Sequence, residues 1–521
     1  MKHILLKCTA LFVCLCLLCG AAPVYAADAL RFWVASDTHY YSESDLGEMS
    51  DRYAEHMLQP DLFGYVSTQG QMQYESRAIV QSFLDDFIRS DAQYLLMPGD
   101  LTGGGRQSHI EMARMLLDAE KRSGKTVFVI NGNHDCEKAS GERRISMEEF
   151  REIYRELGYD KALETHDASA SYTAQLDART RLLAIDSCVY GEDEGKINRQ
   201  VFAFIREQVE KAKADGITLV AMMHHSILPH YALQPMMRNW RSIAAYLANS
   251  GVRLVLTGHI HANDVTARTF GGRTLYDVQT GSLITAPNAY RVVCIRDEEI
   301  DITSGCVTKI DTSLLPDGFS AAQKTRMQKD FPAYARDCLE SGVCKFLNRN
   351  IGCAWRVGRL LKLKEGTAAY DAADKVMRKL GDAVGLDIYA SDGKPSIESV
   401  LAPFGVAVPQ SGYRKPYQPA AKIMYGFFHG DEETISSPED VTLVRVCLEG
   451  AVLYAAETAL TRGEQDKLVA ALCRTARNPR QSLLRDAAGR LADALLRTLA
   501  NGFCNDYSAP ADITLHIGAD A

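Results

Sequence analysis

Five short stretches in the first half of the chain carry residue types that bind divalent metal ions. In chain order they are Asp37-Thr38-His39, Gly99-Asp100, Gly132-Asn133-His134-Asp135, His224-His225 and Gly258-His259-Ile260-His261. Carboxylate oxygens and imidazole nitrogens are the usual protein ligands of Zn²⁺, Mn²⁺ and Fe. Asp37 and His39 are two residues apart, as are His259 and His261, and this spacing places both side chains on one side of an extended segment. The set suits two metal ions about 3.5–4 Å apart, as in two-metal hydrolases.

Short apolar strands and amphipathic helices must position these residues. Strands are predicted at 31–35, 94–97, 126–130, 181–185, 217–223 and 253–256, and helices at 74–89, 107–122, 146–157, 198–214 and 239–249. Short buried strands separated by helices indicate a layered α/β domain. Each of the five stretches follows a predicted strand, and active sites in α/β sheets form at the carboxyl ends of strands. We therefore expect these distant residues to meet in one crevice.

The pattern changes in the second half of the chain. Residues 273–278, 291–295 and 299–303 are predicted as strands that complete the α/β domain. Residues 309–319 are typical of a linker. Helical periodicity follows at 321–340, 368–384, 441–460 and 463–499. The predicted organisation is a signal peptide at 1–26, an α/β domain at 27–308, a linker at 309–319 and an α-rich domain at 320–521.

The N-terminus has the pattern of an export signal. Lys2 and Lys7 precede an apolar run at residues 8–22, and small residues surround a cleavage point before Ala27. The mature chain is therefore expected outside the cytoplasm (secreted, periplasmic or at the cell surface) without a transmembrane segment; a retained N-terminal membrane anchor is the alternative. A chain of 521 residues with 46% hydrophobic residues is typical of two or three globular domains. Its net charge of −8 disfavours sequence-independent nucleic-acid binding.

The five stretches resemble the motifs of the calcineurin-like metallophosphoesterase family. The motifs D-x-H, G-D, G-N-H-[D/E], a His after a strand and G-H-x-H occur here in the family's order, within about residues 30–300. The resemblance implies a layered metallophosphoesterase-type β-sandwich flanked by helices. It also implies hydrolysis of a phosphate ester by a hydroxide that bridges two divalent metal ions.

The resemblance implies a role for individual residues as well. One metal would be held by Asp37, His39 and His261, the other by Asn133, His224 and His259, and Asp100 would bridge the two. His134 would be catalytic rather than a ligand, and would stabilise developing charge near the phosphate or protonate the leaving oxygen. Of the two adjacent histidines His224 is favoured as the ligand, and His225 is then a supporting residue or part of the pocket wall. The metals are Mn, Fe or Zn, and the donor set does not choose among them.

The chain departs from two branches of this family. The protein serine/threonine phosphatases carry G-D-x-x-D-R-G, whereas residues 99–105 here contain neither the second Asp, which orients the catalytic His in that branch, nor the Arg. This argues against a phosphoprotein phosphatase and leaves the orientation of His134 unexplained. Purple acid phosphatases have a Tyr where this chain has Gly103. Residues 277–291 instead resemble a segment of exported bacterial members of the phosphodiesterase branch.

Three further residues are candidates for supporting the metals or the substrate. Thr102 follows Asp100 and either hydrogen-bonds it or caps a local turn. Arg106 contacts the phosphate or is a solvated helix start. Asp186 ends a predicted strand, where it would support the ligands from behind.

The expected function is hydrolysis of a small-molecule phosphoester, with diesters slightly favoured over monoesters. Two alternatives stay open: a non-catalytic, extracytoplasmic protein that binds metal or phosphate, and a nuclease, which the acidic balance disfavours. The oligomeric state is open.

Overall fold

The computed structural model describes residues 29–47, 66–136, 144–189, 191–231, 237–296, 299–347, 363–391, 393–430, 437–472, 508–509 and 512–516, with a few single positions between 485 and 496. The predicted signal peptide at residues 1–26 lies outside these ranges. Within them, no helix has the length and the apolar character needed to span a bilayer.

The strands form two mixed sheets. In chain order they are β1 (Leu30–Val34), β2 (Tyr94–Met97), β3 (Thr126–Val129), β4 (Glu164–Thr165), β5 (Tyr172–Gln175), β6 (Thr180–Ile185), β7 (Thr218–Met223), β8 (Leu254–Thr257), β9 (Asp264–Phe270), β10 (Arg273–Gln279), β11 (Ala289–Ile295), β12 (Glu299–Cys306), β13 (Ser508–Ala509) and β14 (Ile513–His516). The first sheet has the order β14-β12-β11-β1-β2-β3, and the second has the order β13-β9-β10-β8-β7-β6-β5-β4.

Helices connect many of the strands, and a run of helices follows β12 in the second half. In chain order they are α1 (Ser76–Arg89), α2 (Arg106–Ser123), α3 (Met147–Ile153), α4 (Arg199–Asp215), α5 (Trp240–Asn249), α6 (Ala321–Lys329), α7 (Phe331–Phe346), α8 (Ala368–Val384), α9 (Ile397–Leu401), α10 (Tyr417–His429), α11 (Pro438–Ala459) and α12 (Arg462–Leu472). The predicted α/β class and the helical character of the C-terminal part are confirmed.

Alternation along the strands builds a sandwich. Phe32 and Val34 of β1 face the second sheet in a core shared with Leu182 and Met222. Trp33 points to the opposite side, where it packs among residues of α1 and α2. Helices α4 and α5 cover the outer face of the second sheet in the same way. Because side chains alternate along a strand, one strand contributes to two cores and is buried on both faces.

Parallel pairing brings the ligand-bearing loops to one place. β1 and β2 are parallel, as are β2 and β3, with Phe32 opposite Tyr94 and Tyr94 opposite Thr126. In the second sheet β7 and β8 are parallel, with Val220 opposite Leu254. The carboxyl ends of parallel neighbours share an edge of the sheet, so the segments after these strands lie side by side.

Two parts of the second half differ from the predicted pattern. The predicted helix at 321–340 is broken at Asp330, whose φ of −156° is non-helical and whose carboxylate caps α7. Pro332 lies in the first turn of α7, where its missing N–H costs nothing. The predicted helix at 463–499 is observed over Arg462–Leu472, and most of its remainder lies outside the described residues.

The helical half packs closely on the α/β half. Tyr334 of α7 hydrogen-bonds Glu75, and Lys345 Nζ donates to the carbonyl oxygen of Val66 at 2.7 Å. The chain then returns to the sheets, because β13 pairs with β9 and β14 pairs with β12. The domain boundaries at 27–308, 309–319 and 320–521 stay predictions. The structure adds that Ser508–Ala509 and Ile513–His516 contribute strands to the second and the first sheet.

Candidate metal centre

The five motif stretches converge at one edge of the sandwich. Asp37 and His39 follow β1, Asp100 follows β2, and Asn133 follows β3, all in the first sheet. The second sheet contributes the remaining predicted ligands: His224 follows β7, and His259 and His261 follow β8. All except His259 are at least nine-tenths buried. The site therefore lies between the two sheets, at the carboxyl ends of their parallel strands.

Asp37, His39 and His261 form the first half of the site. His39 Nε2 lies 3.1 Å from His261 Nε2, and His261 Nε2 lies 3.3 Å from Asp37 Oδ1. His39 Nε2 is also 3.8 Å from Asp37 Oδ1. Ligand atoms of these three residues lie within 4.8 Å of one another.

Asn133, His224 and His259 form the second half. Asn133 Oδ1 lies 3.0 Å from His224 Nε2 and 3.1 Å from His259 Nδ1. Asp100 connects the two halves, because its Oδ2 lies 3.3 Å from His224 Nε2 and 3.7 Å from His39 Nε2. A carboxylate in this place is within reach of two cations.

The hydrogen bonding of His224 shows that the second half fits a cation. Its Nδ1 lies 2.9 Å from the carbonyl oxygen of Pro98, and a carbonyl only accepts, so Nδ1 carries the proton. In a neutral ring Nε2 is then an acceptor, yet it faces the oxygens of Asn133 and Asp100. A backbone acceptor that fixes the tautomer in this way is typical of a metal-ligating histidine.

The first half fits a cation for a related reason. Asp37 Oδ1 is buried and accepts no hydrogen bond within the described residues. It points at His39 and His261, whose facing nitrogens cannot both be acceptors without repulsion. A divalent ion among these three atoms would satisfy the oxygen and both nitrogens, so the donor set fits the dinuclear centre expected from the motifs.

Burial and neighbouring charges set the protonation of the donors. Burial lowers the pKa of His39 and of His259 to about 4, so both rings are neutral at pH 7 and able to bind metal. Burial opposes the charged form of His224 as well, but the Asp100 carboxylate outweighs it and raises the pKa to about 9, so a metal ion that binds Nε2 would displace a proton from it. Burial raises the pKa of Asp37, and contact with His261 outweighs this and lowers it to about 2.

Backbone strain is concentrated in the ligand residues. Asp37, His39, Asp100, His259 and His261 all have positive φ, between 36° and 77°. Non-glycine residues rarely adopt this region, at a cost of roughly 1–3 kcal/mol each, and such strain clusters at functional sites. The backbone is thus bent to aim the donors inward.

Glycine and Asp135 hold two of the loops together. A Cβ on Gly132 would collide with the backbone and carboxylate of Asp100, so only glycine allows this approach. Asp135 accepts hydrogen bonds from the backbone N–H groups of Gly132 at 2.7 Å, Thr102 at 3.0 Å and Leu101 at 3.2 Å. Burial, together with Asp100, raises the pKa of Asp135 to about 7. Asp135 therefore joins the loop that carries Asp100 to the loop that carries Asn133.

Comparison with known proteins finds a match over the segment that contains these residues. Residues 30–263, a little under half of the chain, match the family model described as calcineurin-like phosphoesterase. These residues are therefore similar to the calcineurin-like phosphoesterase family. The match contains every predicted metal ligand, and the family uses a dinuclear metal centre. No curated protein gives a significant sequence match.

Solved structures with a similar fold have low sequence identity to this chain. A dimetal phosphatase from Danio rerio is 11% identical, with 53% of this chain and 95% of that chain covered and a TM-score of 0.39. A purple acid phosphatase from yellow lupin (Lupinus luteus) seeds is 10% identical, with 53% and 51% covered and a TM-score of 0.35. The NAD nucleotidase of Haemophilus influenzae is 10% identical, with 64% and 70% covered and a TM-score of 0.33.

Two predicted supporting residues lie next to the second half. His225 Nδ1 is 2.9 Å from Ser187 Oγ, and its ring centroid is 4.5 Å from that of His259. Asp186 Oδ1 accepts a hydrogen bond from Asn131 Nδ2 at 3.1 Å, next to the loop of Asn133. The structure thus places His225 beside His259 and Asp186 beside Asn131, and their supporting roles stay predictions.

The other two candidates contact other residues. The hydroxyl of Thr102 lies 2.9 Å from His109 Nε2 rather than on the Asp100 carboxylate. Arg106 starts α2 with an exposed side chain, and its Nε lies 3.4 Å from Glu149 Oε1. Of the alternatives for Arg106, the solvated helix start describes this placement.

Sequence reasoning missed Arg144, which contacts His134, and Asn263, which lies two positions after His261. Arg144 hydrogen-bonds the carbonyl oxygen of His134, and its Nη2 lies 3.2 Å from His134 Nδ1. Asn263 accepts from the N–H of Gly281 at 2.8 Å through its side chain, and its own N–H donates to the carbonyl of Phe428 in α10 at 3.0 Å. Asn263 was detectable as a polar residue two positions after His261, whereas no spacing or motif singles out Arg144.

Proposed function

We propose that this protein is a dinuclear-metal phosphoesterase that hydrolyses a small phosphate ester, with diesters slightly favoured over monoesters. One observation carries the proposal: seven donors from five separate stretches meet with their lone pairs facing one another, and Asp100 lies between the two halves. The family match of residues 30–263 supports the same reaction class.

The distances support the proposed ligand roles. Asp37, His39 and His261 would hold one divalent ion, and Asn133, His224 and His259 would hold the other, with Asp100 shared. When bound, the two ions polarise the phosphoryl oxygens and lower the pKa of water to near neutrality. Mn, Fe and Zn all accept these donors, and availability in the surroundings would decide among them.

His134 is the proposed catalytic residue. Its backbone N–H donates to Asp100 Oδ1 at 2.7 Å, which holds it beside the ligands without making it one. Its ring centroid is 5.1 Å from that of His39, and its side chain is partly exposed, whereas the neighbouring ligands are mostly buried. The ring can therefore touch a bound phosphate ester, where it stabilises charge on the phosphoryl or leaving oxygen or protonates the latter.

The preference for diesters and the location outside the cytoplasm depend on sequence features. The stretch after Asp100 lacks the Asp and Arg typical of the protein serine/threonine phosphatases, and residues 277–291 resemble the phosphodiesterase branch. The N-terminal pattern at residues 1–26 supports export. Since the pattern places the mature N-terminus at Ala27, cell fractionation and N-terminal sequencing of the mature protein test that part.

The reaction is tested with bis-p-nitrophenyl phosphate and p-nitrophenyl phosphate. We expect the Mn²⁺- or Zn²⁺-loaded protein to release p-nitrophenol from both, with a higher kcat/KM for the diester. The Arg155→Met variant, which changes a surface side chain near Asp160, is the matched control and should retain full activity. No turnover of either substrate by protein shown to hold two metal ions would overturn the proposal, and a faster monoester reaction would reverse the stated preference.

A further inference from the structure

His134 needs a partner that fixes its ring. In the protein serine/threonine phosphatases an Asp in the stretch after the bridging carboxylate does this, and residues 101–105 here contain no carboxylate. Asp135 is committed to three backbone N–H groups of the loops at residues 101–102 and 132. Among the described residues, Arg144 is the side chain whose guanidinium lies within hydrogen-bond distance of His134 Nδ1.

Arg144 contacts His134 at two points. One guanidinium nitrogen hydrogen-bonds the carbonyl oxygen of His134, and Nη2 lies 3.2 Å from Nδ1 of the ring. A planar fork that meets the backbone and the ring of the same residue fixes the rotation of that ring.

The backbone of Arg144 is itself anchored. The next residue, Ile145, is 1% exposed and forms an isolated bridge with Cys136, two residues after His134. Ser146 then begins α3 with a capping box to Glu149. The guanidinium is thus placed by a buried residue and a capped helix start.

Hydrogen-bond chemistry determines what this contact does. A guanidinium has only donors, so the Nδ1 that faces it must accept, and the proton of the neutral ring lies on Nε2. A proton on both nitrogens would set an N–H against the N–H groups of Arg144. His134 in this arrangement donates a hydrogen bond through Nε2 and keeps its proton.

We infer that Arg144 is a positioning residue that holds His134 in the Nε2–H tautomer, so that His134 stabilises negative charge on a phosphate ester as a hydrogen-bond donor rather than as a proton donor. The inference deepens the proposed function and depends on it for its kinetic consequence. The tautomer and the ring orientation do not depend on turnover, so this inference and the proposed function can fail separately.

The tautomer is measured by ¹⁵N NMR of the Zn²⁺-loaded protein with labelled histidine, and His134→Gln assigns the signal. We expect the wild type to show protonated Nε2 and unprotonated Nδ1, and Arg144→Met to lose this bias. Melting temperature and metal content, measured for Arg144→Met and for Arg144→Lys, show that the variants are folded and loaded. Unchanged His134 signals in both folded variants would overturn the inference whether or not any substrate is turned over.

The kinetic consequence is a fall in kcat with little change in KM. Loss of a partner that orients a functional group costs roughly 10–100-fold, and we expect Arg144→Met to fall in that range. Arg144→Lys keeps the charge without the fork and should recover only part of the loss. Arg155→Met is the matched control. A loss confined to KM would mean that Arg144 binds substrate instead.

A series of aryl diesters separates donation from protonation. If His134 only donates a hydrogen bond to phosphoryl oxygens, His134→Ala should lower kcat by the same factor for good and poor leaving groups. If it protonates the leaving oxygen, the loss should grow as the pKa of the leaving group rises. The second result would contradict the assigned role.

Discussion

The two halves of the ligand cluster are built differently. The first half (Asp37, His39 and His261) has a carboxylate of its own, and all three residues have positive φ. The second half (Asn133, His224 and His259) has no carboxylate of its own, and only His259 among them has positive φ. The second half takes its nearest carboxylate contact from the shared Asp100, and Asp37 has a ligand atom within 4.8 Å of those of Asp100 and His224.

The supports of the two halves differ as well. Backbone contacts hold the first half: the N–H of Asp37 donates to Gly99 O at 3.1 Å, and that of His39 donates to Asp100 O at 3.0 Å. Side-chain hydrogen bonds support more of the second half: His224 bonds the carbonyl oxygen of Pro98, and Asp186 accepts from Asn131. The first half should therefore bind its ion more tightly, and the second half should be more sensitive to mutation of residues behind it.

The largest effect should come from Asp100, which serves both halves. Asp100→Asn keeps the shape and removes the shared charge. We expect a fall in kcat of about 1000-fold or more, because metal ions supply several kcal/mol of transition-state stabilisation. Elemental analysis should show losses of both ions. Retention of two ions at full occupancy would mean that Asp100 is not shared.

His134 is assigned to neither half, so its mutation tests whether the seven proposed ligands are the complete set. His134→Ala should lower kcat roughly 100-fold, which is typical of removing one preorganised donor. Two ions per chain should remain in the variant. A metal-free His134→Ala protein would show that His134 is a ligand and that the division into halves is incomplete.

Exchanging the donor types should narrow the difference in metal affinity between the two halves. Asp37→Asn should weaken the tighter site by about 100-fold, since a unit charge about 4 Å away contributes up to roughly 4 kcal/mol near a protein surface. Asn133→Asp should strengthen the weaker site. Competition with a chelator, followed ion by ion, measures both affinities. Equal affinities in the wild type would refute the comparison.

Asp186 should affect one half alone. Asp186→Ala removes the acceptor of Asn131 Nδ2 and of the N–H groups of Cys188 and Ala170. We expect about tenfold weaker binding of the second ion and an unchanged first ion. Asp186→Asn, which keeps one oxygen, is the matched control and should lose less. An equal loss at both sites would mean that Asp186 supports the fold generally.

Mutation of Glu75 should affect neither half of the ligand cluster. Burial raises its pKa from 4.5 to about 7 beside Tyr334. Its folded-state pKa exceeds the unfolded value, so the stability it contributes is full below about pH 4.5 and is lost as the pH rises through about 7. Between pH 5 and 8 the free energy of unfolding of Glu75→Gln should therefore rise relative to that of the wild type by roughly 1–3 kcal/mol. Chemical denaturation across that range measures it, and a constant difference would contradict the assignment.

Much of the α/β fold followed from local sequence. The strand at residues 94–97 matches its predicted bounds, and the helix predicted at 74–89 is observed at Ser76–Arg89, because apolar runs bounded by polar residues mark buried strands and helices. The ligands were visible for a similar reason, since each follows a strand directly. Whether each of them binds metal stays a prediction.

Other features depend on tertiary partners and left no local signal. Strand β13 has two residues and gains its identity from pairing with β9. Arg144 is one arginine among many, and its contact with His134 arises from the bridge between Cys136 and Ile145. Only the folded chain brings such groups together.

Anomalous scattering from metal-loaded crystals tests the central claim most directly. We predict two peaks, one among Asp37, His39 and His261 and one among Asn133, His224 and His259, each within bonding distance of Asp100. A single peak, or peaks that leave Asn133 and His259 without an ion, would contradict the dinuclear centre.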